Sequence, residues 1–401
     1  MRVPRSVVSG VALAAAVLSG VAGALVAPVT DGARAWAQQA CGPTGDGPPD
    51  RLPWPLLHLD MPAVWPLSRG EGVVVAVIDS GVSADHPVLR GRVLDGIDFG
   101  LPSASGHCDQ AGHGTVIAGI IAGRDGTVDT FSGIAPDARI LPVRVLERAG
   151  QVTDPSLPGR IADAIEWAVD NGADVINLSL ETVPTERLAE AVRYAVDNDV
   201  VLVAAAGNVE QGQERGPAFP AAYEEVLAVA GVDEAGAHVD TSVRGTYIGV
   251  AAPGVNIIGP APRGDGFLTV PEGGTSYAAA YVSGVAALVR SRHPGLSAEA
   301  VRRRIMLTAD SPPQGRNDLV GYGVVNPYRA VTAVLGTRSN PPPVTLEPPP
   351  PSADPLAREK SLAGMVAVVG AVVAGVLLFS RTVVRAGQRR GWRPGRPGRV
   401  S

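Results

Sequence analysis

The chain has 401 residues, of which 45% are hydrophobic, 18% charged and 4% aromatic, with a formal charge of -5. That length and apolar fraction supply at least one large buried core and exclude a wholly disordered chain, and the acidic balance argues against nucleic acid as a partner. Two cysteines, Cys41 and Cys108, allow at most one internal disulfide and exclude a multi-bridge scaffold.

At the N-terminus, Arg2 and Arg5 precede an almost unbroken apolar run from Val7 to Val29, and Ala35-Trp36-Ala37 fits a small-residue cleavage site. This is the pattern of a secretory signal peptide, expected over 1–37, with an uncleaved anchor as the other reading. Residues 38–70 are too short for a core of their own. They are expected to wrap onto the main domain, with Trp54, Trp65 and Leu67 as docking anchors.

From 71 to 335 short apolar runs alternate with helical patterns. The β-branched runs at 73–78, 174–178, 200–205 and 226–230 suit strands buried on both faces of a parallel sheet. Residues 160–171 and 186–198 carry apolar side chains at three- and four-residue spacing, as in Ile161, Ala164, Ile165 and Ala168. Strand–helix alternation predicts an α/β fold with a central, mainly parallel sheet covered by helices on both faces.

Residues 336–360 follow, with seven prolines between Pro341 and Pro351, a composition that favours an extended spacer. The 18 residues from Leu362 to Phe379 carry no charge, enough for about 27 Å of helix, so a transmembrane helix is expected over 361–380. Residues 381–401 hold seven arginines and no acid. That tail is expected to stay in the cytoplasm, which puts the main domain outside on a single-pass membrane anchor.

Polar residues cluster where the apolar runs end. Asp79-Ser80-Gly81 follows the first strand; His113-Gly114-Thr115 and Gly274-Thr275-Ser276 each open a small-residue helix; Gly207-Asn208 ends another strand. Ligands in open α/β sheets bind at the carboxyl ends of strands. Nucleophilic acyl transfer needs a hydroxyl, an imidazole to take its proton and a buried carboxylate to orient the imidazole. A side-chain amide such as that of Asn208 can donate to an oxyanion. Each residue alone could be a cap or a turn; together they form one constellation. His58, His107, His238 and His293 show no metal-ligand spacing.

With these motifs the chain resembles the subtilases, the subtilisin-like serine proteases. Asp79-Ser-Gly-Val with His86-Pro87, His113-Gly-Thr-x-x-Ala-Gly, the strand ending at Leu180, Ala-Ala-Gly-Asn208 and Gly274-Thr-Ser276 carry the likeness. The resemblance implies a subtilisin-like three-layer fold and serine endopeptidase activity. It implies Ser276 as nucleophile, His113 as general base, Asp79 as its orienting carboxylate and Asn208 as oxyanion donor. Leu178, Ser179, Leu180, Ala205, Ala206 and Gly207 would line the substrate, and His86 would pack beside the active site.

Two departures stand out. Ala280 occupies a position that is usually proline, and Glu181-Thr182 follow Leu180 where glycines are usual. Glu181 is expected to point to solvent; the other reading has it narrow the cleft or favour a polar or basic substrate residue. In an oxidising exterior Cys41 and Cys108 are expected to pair, the alternative being two free thiols. Short extension, cysteine pair, proline-rich linker and C-terminal span together resemble the mycosins, membrane-anchored subtilases of type VII secretion. That likeness implies extended polypeptide substrates among secreted proteins and the secretion membrane complex as partner. No cofactor is expected; calcium is frequent in subtilases, no acidic loop here marks a site, and the matter stays open.

Overall fold

Runs without polar alternation can be covered on both faces, and they form the centre of the sheet. The computed structural model describes residues 41–101, 104–125, 130–147, 154–209, 215–335 and 356–393. The expected signal peptide, the proline-rich segment up to residue 355 and the last eight residues lie outside the described residues.

All four expected strands are present, as β1 (Val74–Asp79), β4 (Val175–Leu178), β5 (Val201–Ala205) and β6 (Leu227–Val232). With β2 (Ile97–Asp98), β3 (Arg139–Arg144) and β7 (Ile248–Pro253) they make a seven-stranded sheet ordered β2-β3-β1-β4-β5-β6-β7. Neighbouring strands run parallel throughout. The sequence reading missed β3 because Pro142 lies inside it, and proline argues against a central strand. Ile140 donates to the Arg92 carbonyl and accepts from Leu94 N–H, on the outer side of the strand. By the two-residue alternation Pro142 turns its missing N–H to that same side, next to Gly96, while Leu141 and Val143 serve β1.

Side chains alternate between two cores. Val75 and Val77 join a core with α3 (His113–Ala122), α6 (Thr275–Arg292) and α7 (Ala298–Thr308). Ala76 and Ile78 face α4 (Leu157–Asp170) and α5 (Glu186–Asp197) on the other side. Both predicted helices are therefore present, α5 being capped by Thr185, whose hydroxyl accepts from Leu188 N–H at 3.2 Å. An antiparallel pair, β8 (Ile257–Pro260) and β9 (Phe267–Val270), packs against α3, where Gly259 meets Val116 and Pro260 meets Gly119.

The N-terminal extension packs on this body through α1 (Trp54–His58) and α2 (Met61–Val64), with Leu56, Leu59, Met61 and Val64 buried. Trp54 and Trp65 donate their indole N–H groups to the carbonyls of Val255 (3.0 Å) and Ile134 (3.1 Å). Leu67 corrects the expectation: it is 40% exposed, and the neighbouring Ser68 makes the anchor instead, donating to Leu288 O at 2.8 Å. Cys41 and Cys108 form a disulfide with Cα atoms 5.0 Å apart. A short helix α8 (Pro327–Thr332) ends the first unit.

Residues 336–401 make a second unit, whose described part, 356–393, is dominated by the 33-residue helix α9 (Ala357–Arg389). At 1.5 Å per residue it runs about 50 Å, longer than the ~30 Å hydrocarbon core and than the expected span over 361–380. No glycine or proline lies between Phe379 and Ala386, and the helix continues through Arg381, Arg385 and Arg389. An 18-residue window within it has a mean hydropathy of 2.6 and none of it is buried. It is long and apolar enough to cross a membrane.

Candidate active site

β1 ends on Asp79, whose side chain is 0% exposed, and the chain leaves it through Gly81 at φ 109°. His113 is the first residue of α3, and its Nδ1 lies 2.8 Å from Asp79 Oδ1 and 3.0 Å from Oδ2. Helix and turn approach this closely because Gly114 has no Cβ; one built there would fall 2.1 Å from the Gly81 carbonyl oxygen. The imidazole is 12% exposed. Burial pulls its pKa down, but the charge and hydrogen bond of Asp79 outweigh burial and hold it above the ordinary histidine value.

Ser276 is the second residue of α6, reached through Gly273 at φ 62° and Gly274 at φ 148°. A Cβ on Gly273 would sit 1.7 Å from the Gly254 carbonyl oxygen, so the approach to Ser276 requires glycine. Ser276 is bonded twice to Ser179: its hydroxyl donates to Ser179 O at 3.2 Å, and its carbonyl accepts from Ser179 Oγ at 2.8 Å. Behind this pair Ser283 donates to Asn177 Oδ1 and Asn177 donates to Ser179 Oγ, each at 2.9 Å. The Tyr277 ring, next in the chain, lies 5.5 Å from the His113 ring, so both helix starts meet at one cleft.

Asn208 follows β5. Its Oδ1 accepts from Thr275 N–H at 3.0 Å, a group that can only donate, and this assigns the oxygen and the nitrogen of the amide, with Nδ2 as the donor end. A donor, a hydroxyl and an imidazole backed by a carboxylate thus converge from four segments far apart in sequence. Such a set can deprotonate a hydroxyl and stabilise both the imidazolium and an oxyanion.

The six expected substrate-lining residues, Leu178, Ser179, Leu180, Ala205, Ala206 and Gly207, are all buried, closing or following β4 and β5, the latter next to Asn208. Glu181 is a correction. It turns inward, with its side chain 20% exposed and Oε1 accepting from Arg215 at 2.7 Å. His86 is buried, with Nε2 3.0 Å from the Gly266 carbonyl oxygen and its ring against Phe267. Among the described residues no group of three or more His, Cys, Asp or Glu could hold a metal ion.

Sequence reasoning missed Asp109 and Ser80. Asp109 is buried and accepts from Gly112 N–H (2.8 Å), Thr115 N–H (2.8 Å) and the Thr115 hydroxyl (2.6 Å), which caps the start of the His113 helix. The Ser80 hydroxyl lies 2.8 Å from Asp109 Oδ1 and 3.1 Å from Asp79 Oδ1, so its single proton bridges the two carboxylates. Burial pushes the Asp109 carboxyl up, against the pull of the Thr115 bonds and with the help of the Asp79 charge. An aspartate just ahead of a helix start was the available signal.

The profile of the subtilase family matches residues 70–323, and the chain belongs to that family of serine endopeptidases. Mycosin-3 of Mycobacterium tuberculosis (strain ATCC 25618 / H37Rv) is 37% identical over 394 residues, covering 83% of this chain and 83% of that one. The solved structure of the MycP3 protease from the type VII (ESX-3) secretion system has a TM-score of 0.65 at 36% identity, over 72% of this chain and 92% of its own. A chain of the intact ESX-5 inner membrane complex has a TM-score of 0.66 at 32% identity, over 86% of this chain and 94% of its own. Within the subtilases the protein is therefore of the mycosin type.

Proposed function

We propose that this protein is a membrane-anchored endopeptidase that hydrolyses peptide bonds of secreted proteins through Asp79, His113 and Ser276. The observation that carries the reading is the 2.8 Å contact of a fully buried Asp79 carboxylate with His113 Nδ1, beside the helix start that bears Ser276. His113 Nε2 takes the Ser276 proton as Oγ attacks the substrate carbonyl carbon. Asp79 accepts from Nδ1–H, fixing the tautomer and stabilising the imidazolium. Asn208 Nδ2 and the Ser276 backbone N–H hold the oxyanion. His113 then protonates the leaving amine, and water repeats the sequence on the acyl-enzyme. Nucleophile, base and oxyanion donors are all groups of the chain itself, so the proposed reaction uses no cofactor.

The substrate lies extended against 178–180 and 205–207. The signal peptide exports the domain, the disulfide keeps 38–70 attached to it, the apolar part of α9 spans the membrane and the arginine-rich tail remains in the cytoplasm. The likeness to a chain of the ESX-5 inner membrane complex supports a type VII secretion complex as partner. The same likeness favours a second reading, in which the protein stabilises that complex and proteolysis is dispensable.

A fluorophosphonate probe is expected to label the wild type and not Ser276→Ala; an unlabelled wild type sinks the enzymatic reading. Secretion that persists with Ser276→Ala but stops on deletion of the protein would favour the structural role.

A further inference from the structure

We propose that the N-terminal extension takes part in catalysis through Trp54, a positioning residue that holds the turn against which the approach to Ser276 packs. The inference rests on the roles proposed for Ser276 and Asn208.

Residues 254–256 join β7 to β8. The indole N–H of Trp54, 201 positions away in the chain, donates to the Val255 carbonyl at 3.0 Å. The peptide just before that carbonyl carries the approach to Ser276. Gly254 O accepts from Gly274 N–H at 2.7 Å, and a Cβ on Gly273 would fall 1.7 Å from that oxygen and 2.7 Å from Val255 Cα. Gly254 and Gly273 therefore meet backbone to backbone, with no side chain to take up a shift. The next two N–H groups serve the site. Thr275 N–H donates to Asn208 Oδ1 at 3.0 Å, and the N–H of Ser276 is the proposed oxyanion donor.

Asn256 stands at φ 50°, a left-handed conformation that a residue other than glycine keeps only where its neighbours hold it. Its N–H donates to Pro271 O at 2.9 Å and its Nδ2 to Glu234 Oε1 at 2.8 Å, while Trp54 holds the residue before it. Without the indole bond the turn relaxes, and the peptide ahead of Ser276 moves with it. Misplacing reacting groups by about 1 Å can cost on the order of 10²-fold in rate, so a fraction of that shift costs about ten-fold. Trp65 supplies the comparison. Its indole also ties the extension to the body, but at Ile134, which packs against Gly284, well along α6 from Ser276.

The test uses the full-length protein in detergent and reads the limiting rate and half-saturation of fluorophosphonate labelling, with the thermal midpoint beside them. Trp54→Phe keeps a ring and removes the N–H, and Trp65→Phe does the same at the other anchor. Both should lower the midpoint by a similar amount. Trp54→Phe alone should lower the limiting rate, about ten-fold, with half-saturation little changed. Equal limiting rates in the two variants overturn this inference alone. Should Trp54→Phe fail to fold, the exposed Glu234 decides in its place. Glu234→Ala frees the Asn256 side of the turn and should lower the limiting rate at least about two-fold; a wild-type rate there overturns the inference. A wild type that takes no fluorophosphonate overturns it together with the reading on which it rests.

Discussion

His113 is where two opposing effects meet, burial lowering its proton affinity and the Asp79 carboxylate raising it further. The net rise above about 6.5 has a definite sign. The protonated imidazole stabilises the fold below pH ~6.5, and that contribution is lost as pH rises through the folded value. Activity runs the other way, because the base must be neutral: kcat/KM is expected to rise through a midpoint above pH ~6.5. Asp109 adds to the same elevation from further off. Asp109→Asn should move the midpoint of the pH–rate profile downward and, by breaking the cap on α3, cost about 1–3 kcal/mol in urea unfolding. A loss of stability without a change in midpoint would leave Asp109 a purely structural cap. Under the proposed oxyanion role of its Nδ2, Asn208→Ala should lower kcat roughly 10²–10³-fold with KM little changed.

Among elements, the close approach of α3 to the turn after β1 is the sensitive contact. A methyl group at Gly114 would meet the Gly81 carbonyl oxygen at 2.1 Å, and neither backbone can yield without parting His113 from Asp79. Gly114→Ala is therefore expected to reduce stability by roughly 1–3 kcal/mol and to lower fluorophosphonate labelling as well. Activity retained at wild-type level would show that the approach is not needed. The Asn177–Ser179–Ser283 chain is the buried counterpart on the Ser276 side, fastening α6 to the end of β4 through polar bonds.

For the whole molecule, the disulfide closes a separation of 67 residues between the extension and the loop before Asp109. Replacing both cysteines by serine should cost about 4 kcal/mol in the chain-entropy account, read as a lower denaturation midpoint. The two units of the chain divide at Leu335. A chain ended there is expected to keep fluorophosphonate labelling while moving from the detergent phase to the aqueous phase in phase separation. Retention in detergent would place the membrane contact in the first unit.

The sequence by itself determined the four central strands, the helices over 160–171 and 186–198, the apolar C-terminal helix and the four chemical groups at Asp79, His113, Asn208 and Ser276. Each is a local matter: periodicity decides which faces can be buried, and a polar residue ending an apolar run is visible in a window of a few residues. Only the tertiary structure decided what depends on distant neighbours. Pro142 lies in a strand because the outer side of β3 needs no N–H there. Leu67 is exposed because Ser68 reaches the core carbonyl instead, and Asp109 accepts from Ser80, 29 residues away. Glu181 turns inward because Arg215, far along the chain, holds it over a glycine that has no side chain to exclude it. Partners separated by tens of residues leave no periodic trace, and the direction of a side chain is set by the partner it finds.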